Sequence, residues 1–289
     1  MTTSIYKSEE GKQKIEALYR QALQRWPVPN RQLLVPTRQG DTFVIASGED
    51  HQTPVVLLHG SGANSAVWMR DVAELADRYR VYAIDMIGEP GLSAPSRPPL
   101  KSEAYAEWLD DVWKHLNLTR ASIVGVSLGG WLALDYAIRR PERVEALSLV
   151  SPAGIGPQNQ LFMLKAGVLL MLGKWGLRKS FKAAAGSNVP SAAAAFVTTI
   201  FQHFRPRMER IPIRTDAELS GLTMPVHVVV GGHDAMIRSK ETRHRMARLV
   251  PHAEVLYLER EGHILPRQTA EIARFLRDAL SDIRRSEIA

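Results

Sequence analysis

The sequence predicts an α/β fold: a mostly parallel sheet of about eight strands, with helices on both faces and one helical insertion. Three observations predict it. Short strand-like apolar runs alternate with amphipathic helical patterns, as a parallel sheet with crossover helices requires. Several of the strand-like runs are continuously apolar and end in glycine, as PVVLLHGSG does at 54–62, which suits strands buried on both faces. The alternation breaks once, from 154 to 220, where helical patterns follow one another with no strand between them.

The elements follow in order. Residues 8–26 carry Ile15, Leu18, Tyr19 and Ala22 at spacings of three and four, an amphipathic helix stopped by Pro27 and Pro29. Strand-like runs follow at 33–35, 42–45 and 54–58. Residues 65–77 read as helix, 81–84 as a strand ending at Asp85, and 88–99 as a Pro/Gly loop. Tyr105, Trp108, Leu109, Val112, Trp113 and Leu116 share one helix face. Strand 121–126, helix 128–139 and strand 144–150 precede the insertion. Strand 226–230, a helix at 240–249, strand 254–258 and a last helix at 269–283 follow it. The expected division is an N-terminal helical extension at 1–30, an α/β core from 31–153 and 221–289, and a helical cap at 154–220.

The bulk properties narrow the function. With 289 residues and 45% apolar, the chain can bury a large core. It has no cysteine, which excludes disulfides, thiolate catalysis and cysteine zinc sites. The N-terminus lacks the apolar core of a secretory signal. The longest apolar stretch, Ala166–Gly173, is far below the ~20 residues that span a bilayer. A cytoplasmic protein without stable membrane insertion is expected. The formal charge is +7, and segment 152–215 alone carries nine Lys or Arg against one acid, Glu209. Charge gathered in one segment argues against nucleic acid as partner.

The chemistry begins at GVSLG, 125–129, which follows an apolar strand and opens a helix. That strand–turn–helix context turns a common G-x-S-x-G pattern into a nucleophile elbow centred on Ser127. Small residues at 125 and 129 allow the tight turn, and the helix N-terminus favours the negative charge that develops during attack. A serine nucleophile needs a base, and the base needs an orienting acid. His263, in EGH after the last strand, is the candidate base. Asp234, in GGHD after strand 226–230, is the candidate acid; both lie where open α/β sheets build their sites. The place after strand 144–150 holds Ser151, which cannot act as the acid. Backbone N–H groups of Leu128, directly after the nucleophile, and Ser61, in HGSG at 59–62, are the candidate oxyanion donors. Gly60 and Gly62 permit close approach of a ligand, and His59 reads as structural.

HGSG, GVSLG, GGHD and EGH, in this order between these strands, resemble the α/β-hydrolase superfamily from about residue 33 onward. The N-terminal helix, IASG at 45–48 and DMIGEPGLS at 85–93 are similar to capped bacterial carboxylesterases in particular. Two departures stand out. Many relatives read D-x-x-G-x-G-x-S where this chain has Glu89-Pro90 between Gly88 and Gly91, one residue longer. Relatives often place Glu-x-Pro before the last helix, where this chain runs ILPRQTAEIARFL, so a shorter final loop is expected.

The resemblance implies a serine carboxylesterase that works through an acyl-enzyme and needs neither metal nor organic cofactor. Thioesterase, lactonase and carbon–carbon bond hydrolase remain alternatives on the same residues, as does, more remotely, a non-catalytic ligand-binding protein of this fold. The resemblance makes 154–220 a cap. Its stretch 161–177 is apolar with two lysines, and three readings stay open: a wall of an acyl pocket with Phe162, Met163 and Trp175 near the substrate, a face on a lipid surface, or packed core. The expected partner is a small-molecule ester with an apolar acyl part, and the expected state is monomer or homodimer.

Overall fold

The computed structural model describes residues 4–171, 173, 175, 176, 179 and 191–288. Its strands are β1 (Asn30–Val35), β2 (Thr42–Ser47), β3 (Pro54–Leu58), β4 (Arg80–Ile84), β5 (Ala121–Val126), β6 (Val144–Val150), β7 (Val226–Gly231) and β8 (Glu254–Leu258). They form one sheet in the order β1-β2-β4-β3-β5-β6-β7-β8. The β1–β2 and β2–β4 pairs are antiparallel and every other pair is parallel, as expected. The chain runs outward from β3 to β4, then restarts on the other side of β3 with β5. Between β3 and β5 the sheet therefore has its switch point, the place where open α/β sheets leave a crevice at their carboxyl ends. Leu58 pairs with Gly125 there, so the loop after β3 and the turn after β5 emerge side by side.

The described helices are α1 (Glu9–Leu23), α2 (Val72–Ala76), α3 (Ala104–His115), α4 (Leu128–Arg139), α5 (Gln160–Met171), α6 (Ser191–His203), α7 (Asp216–Ser220), α8 (Ser239–Leu249) and α9 (Thr269–Ile288). One face of the sheet is covered by α3, α4 and α8 through Trp108, Trp113, Trp131, Leu134 and Met246. The other is covered by α1, α2 and α9 through Tyr19, Leu75, Phe275 and Leu276. Trp108, Trp113 and Trp131 are fully buried. Each contributes about 4–6 kcal/mol of transfer free energy before ordering costs are counted. That packing makes α4 a rigid carrier for the turn at its N-terminus.

Two of the differences from expectation have visible causes. The first helix ends at Leu23, because the chain tightens into i→i−3 bonds from Arg25 to Ala22 and Trp26 to Leu23, which turn the Trp26 indole onto the Ser47 hydroxyl at 3.0 Å. Residues 65–77 form a 3₁₀ turn, Ser65–Arg70, followed by α2. The Asn64 side chain accepts the Ala66 N–H and Asp71 breaks the run, its carboxylate taken by the Thr269 hydroxyl.

The segment 154–220 holds α5, α6 and α7, with no strand among its described residues. Both of its ends are tied down. Arg214 N–H donates to the Gly154 carbonyl at 2.8 Å, and Arg245 donates to the carbonyls of Ile155 at 2.6 Å and Arg214 at 2.8 Å. The N-terminal segment is tied to it as well. Tyr6 bridges Phe204, Lys7 N–H donates to the His203 carbonyl, and Ile5, Tyr6 and Ile15 bury against Ile200 and Phe204. The first helix is thus built into the molecule between the inserted segment and the sheet. No helix among the described residues is long and apolar enough to cross a membrane.

Candidate active site

Ser127 sits between β5 and α4 with φ +52 and ψ −109, a left-handed conformation that side chains avoid unless the surroundings enforce it. The enforcement is visible. Ser127 N–H donates to the Val150 carbonyl at 3.0 Å, while its own carbonyl receives Trp131 N–H at 3.0 Å and Ala153 N–H at 3.2 Å. A Cβ at 129 would overlap the Leu58 carbonyl oxygen, and one at 125 would lie 2.5 Å from the Gly129 oxygen. Only glycine fits either place, which is the physical content of the motif.

The loop after β8 brings His263 to the serine. Its Nε2 lies 3.0 Å from Ser127 Oγ, and its Nδ1 lies 2.7 Å from Asp234 Oδ2. An ionised carboxylate only accepts, so Nδ1 carries the proton and Nε2 receives the serine hydroxyl. Asp234 is itself held: its Oδ1 accepts the N–H groups of Met236 at 2.7 Å and Ile237 at 2.9 Å. His263 is 8% exposed and Ser127 half-buried, so the hydroxyl can be reached while the imidazole is shielded. Such a chain of hydroxyl, imidazole and carboxylate can make an alkoxide-like nucleophile and store its proton on the ring.

Negative charge produced at a substrate oxygen needs donors nearby. Leu128 is the first residue of α4, so its N–H has no partner within the helix. The loop 59–62 runs past Ser127, with a Cβ position at Gly60 3.5 Å from Ser127 Cβ. His59 anchors this loop. Met86 N–H donates to its Nε2 at 2.9 Å, so Nδ1 donates to the Gly60 carbonyl at 2.8 Å. Burial lowers its pKa and keeps it neutral. Gly62 has φ +67, and its α-carbon faces the Phe201 ring of α6.

Behind the loop lies Asp85, at the end of β4. It accepts the Tyr19 hydroxyl at 2.8 Å, Ser65 N–H at 2.9 Å and Leu92 N–H at 2.9 Å, joining α1, the loop after β3 and the glycine-rich loop at 85–93. The carboxylate and burial together raise the Tyr19 phenol well above its ordinary value, burial being the larger cause.

Of the expected pocket residues, Gly60 and Gly62 flank Ser61 beside Ser127. Phe162 is half-buried, and the Met163 side chain lies outside the described residues. Trp175 is 59% exposed and carries the Lys179 ammonium 4.9 Å over its ring. Three residues near the site were missed by sequence reasoning: Ser151, whose hydroxyl holds the His263 backbone at 2.9 Å; Phe201 over Gly62; and Glu89, whose carboxylate accepts Gly62 N–H at 2.6 Å. For Glu89 the extra residue in the glycine motif was the available clue.

Comparison with known proteins agrees with this architecture. A carboxylesterase of Bacillus subtilis, YbfK, is 31% identical over 262 residues, 88% of this chain and 88% of that protein. An uncharacterized carboxylesterase of the same organism, nap, is 30% identical over 86% of this chain and 85% of its own length. The crystal structure of naproxen esterase from Bacillus subtilis superposes with a TM-score of 0.79 at 27% identity, covering 96% of this chain and 99% of that one. The model of the alpha/beta hydrolase family matches residues 55–275, a span that holds the strained serine, the aspartate and the histidine just described. With the switch-point sheet, the elbow and a family match over most of its length, the chain belongs to the alpha/beta hydrolase family.

Proposed function

We propose that this protein is a carboxylesterase acting through an acyl-enzyme on Ser127. The observation that carries the reading is the continuous relay from Ser127 Oγ through His263 to Asp234, at 3.0 and 2.7 Å, on a nucleophile held at φ +52. The carboxylesterases among its relatives support the reaction class. Ser127 Oγ adds to the ester carbonyl as His263 Nε2 takes its proton. Leu128 and Ser61 N–H groups receive the oxyanion, and Asp234 holds the ring and offsets its charge. Collapse expels the alcohol, which takes the proton back from Nε2. Water, deprotonated by the same nitrogen, adds to the acyl-enzyme; collapse releases the acid and restores the serine.

The segment 154–220 acts as the cap that borders the substrate, with Phe201 of α6, against Gly62, as its described contact with the loop of the oxyanion donor. A small ester with an apolar acyl part suits a site bordered in this way. The test is hydrolysis of p-nitrophenyl esters from acetate to dodecanoate by wild type and Ser127→Ala. Turnover by wild type with a loss of at least about 10⁴-fold in the variant supports the reading. An inactive wild type, or an equally active variant, refutes it.

A further inference from the structure

We propose that Glu89 is a positioning residue for this reaction, its buried carboxylate fixing the Gly62 amide and with it the peptide that follows the Ser61 oxyanion donor. The proposal rests on the esterase reading above.

Glu89 is 2% exposed, and its Oε2 accepts Gly62 N–H at 2.6 Å, with the Ser61 hydroxyl at 3.4 Å from the same oxygen. In a trans peptide the Gly62 N–H and the Ser61 carbonyl point opposite ways, so holding one sets the other and restricts ψ of Ser61. A glycine at φ +67 has more freedom than any other residue and does not hold such a plane by itself. Two outside contacts hold it, the Phe201 ring at the α-carbon and Glu89 at the amide.

The one-residue-longer motif is what delivers the carboxylate. Gly91 N–H donates to the Glu89 carbonyl at 2.9 Å, Asn64 Nδ2 donates to the Pro90 carbonyl at 2.9 Å, and Arg97 Nε donates to the Gly88 carbonyl at 2.8 Å. The spacer Glu89-Pro90 therefore bulges toward the loop after β3 and is pinned at both ends.

Burying a carboxylate is costly. Burial pushes the Glu89 carboxyl up to about 7, opposed by the Gly62 N–H, by the Arg97 and Arg207 guanidiniums and by the Ser61 hydroxyl. The Tyr6 and Tyr105 phenols also lie in its field. Burial raises both, the second to about 12, and Glu89 adds to the rise. Its shortest hydrogen bond goes to the loop that carries the oxyanion donor.

The test compares wild type with Glu89→Gln, which keeps an acceptor of equal length, and Glu89→Met, which keeps the volume and loses the acceptor. The readouts are kcat and KM on p-nitrophenyl butyrate, affinity for an alkyl trifluoromethyl ketone whose adduct places an oxyanion in the hole, and melting temperature. For Glu89→Met, kcat is expected to fall about 10–100-fold with KM within about twofold and ketone affinity falling in parallel, while Glu89→Gln loses only a few-fold. If Glu89→Met does not fold, Glu89→Asp, one methylene too short, carries the same expectation of about a tenfold loss in kcat.

Wild-type kcat in the shortened or apolar variant overturns the proposal, as does an equal loss in Glu89→Gln and Glu89→Met, or a loss confined to KM. A wild type that neither hydrolyses esters nor takes a fluorophosphonate at Ser127 overturns the esterase reading and this proposal with it. That outcome is distinct from an active wild type beside an equally active variant.

Discussion

The Ser151 hydroxyl donates to the backbone carbonyl of His263 at 2.9 Å, tying the end of β6 to the loop that carries the imidazole. Ser151 itself is fixed, its N–H donating to the Val229 carbonyl at 2.8 Å. The bond is buried, so deleting the hydroxyl leaves a carbonyl without its donor, at a cost of about 1–2 kcal/mol. It also loosens the ring that must meet Ser127. Ser151→Ala is expected to lower kcat about 3–10-fold with little change in KM, measured by steady-state kinetics beside a thermal melt. An unchanged kcat would show that Asp234 alone holds the imidazole.

Asp234→Asn tests the tautomer argument. The variant keeps the shape but can present an N–H toward Nδ1, which favours the ring with its proton on Nε2, where it cannot accept from serine. The expected loss in kcat is about 10⁴-fold at neutral pH. Because Oδ1 of the present aspartate accepts the Met236 and Ile237 amides, the amide oxygen can keep that turn, and a modest change in melting temperature is expected. A loss of activity that merely tracks unfolding would count against the assigned role.

These two residues mark how far the sequence was readable. Ser127 announces itself because a tight strand–turn–helix demands glycine on both sides of it. Asp234 and His263 follow because each stands just past a strand. The helices of 154–220 were also legible as helices. What could not be read were contacts between residues distant in the chain whose types are unremarkable: Ser151 to His263 across 112 positions, Glu89 to Gly62 across 27, Phe201 to Gly62. The three readings of 161–177 stayed open for a related reason. Leu161, Leu164, Val168 and Trp175 are exposed, and no local pattern says which side of an apolar helix meets the protein.

The raised carboxyl of Glu89 has a consequence for stability. Its ordinary value is 4.5 and burial lifts it to about 7. Below pH 4.5 both folded and unfolded chains hold the proton. As pH rises toward 7 the unfolded chain releases it first, so the folded state is progressively disfavoured, and above about 7 the effect is complete. The loss amounts to at most about 3 kcal/mol. Glu89→Gln removes this titration. The stability difference between Glu89→Gln and wild type, from urea unfolding at pH 5, 6, 7 and 8, is expected to shift in favour of the variant from pH 5 to 7 and then level off. A difference independent of pH over that range would contradict it.

Asp135 and Arg214 form a buried ion pair, 1% and 6% exposed in their side chains, between α4 and the exit of the inserted segment. The same carboxylate oxygen receives Arg139 Nε at 2.9 Å, and the Arg214 guanidinium lies 4.6 Å over the Trp131 ring. Trp131 in turn donates its indole N–H to the Pro212 carbonyl at 2.9 Å. Helix α4 begins directly after Ser127, so this cluster joins the helix that carries Ser127 to the inserted segment. Without Asp135 the buried Arg214 guanidinium keeps the Glu218 carboxylate at 3.5 Å, a longer contact to a more exposed partner, and Asp135→Leu is expected to cost about 3 kcal/mol. Arg214→Met is expected to cost less, because Asp135 keeps Arg139. Once one partner has gone, losing the other costs little, so the double variant should be more stable than the sum of the two single losses by at least about 1 kcal/mol in urea unfolding. Strict additivity would mean that the two charges act separately, and that Trp131 and Pro212 alone hold the segment against α4.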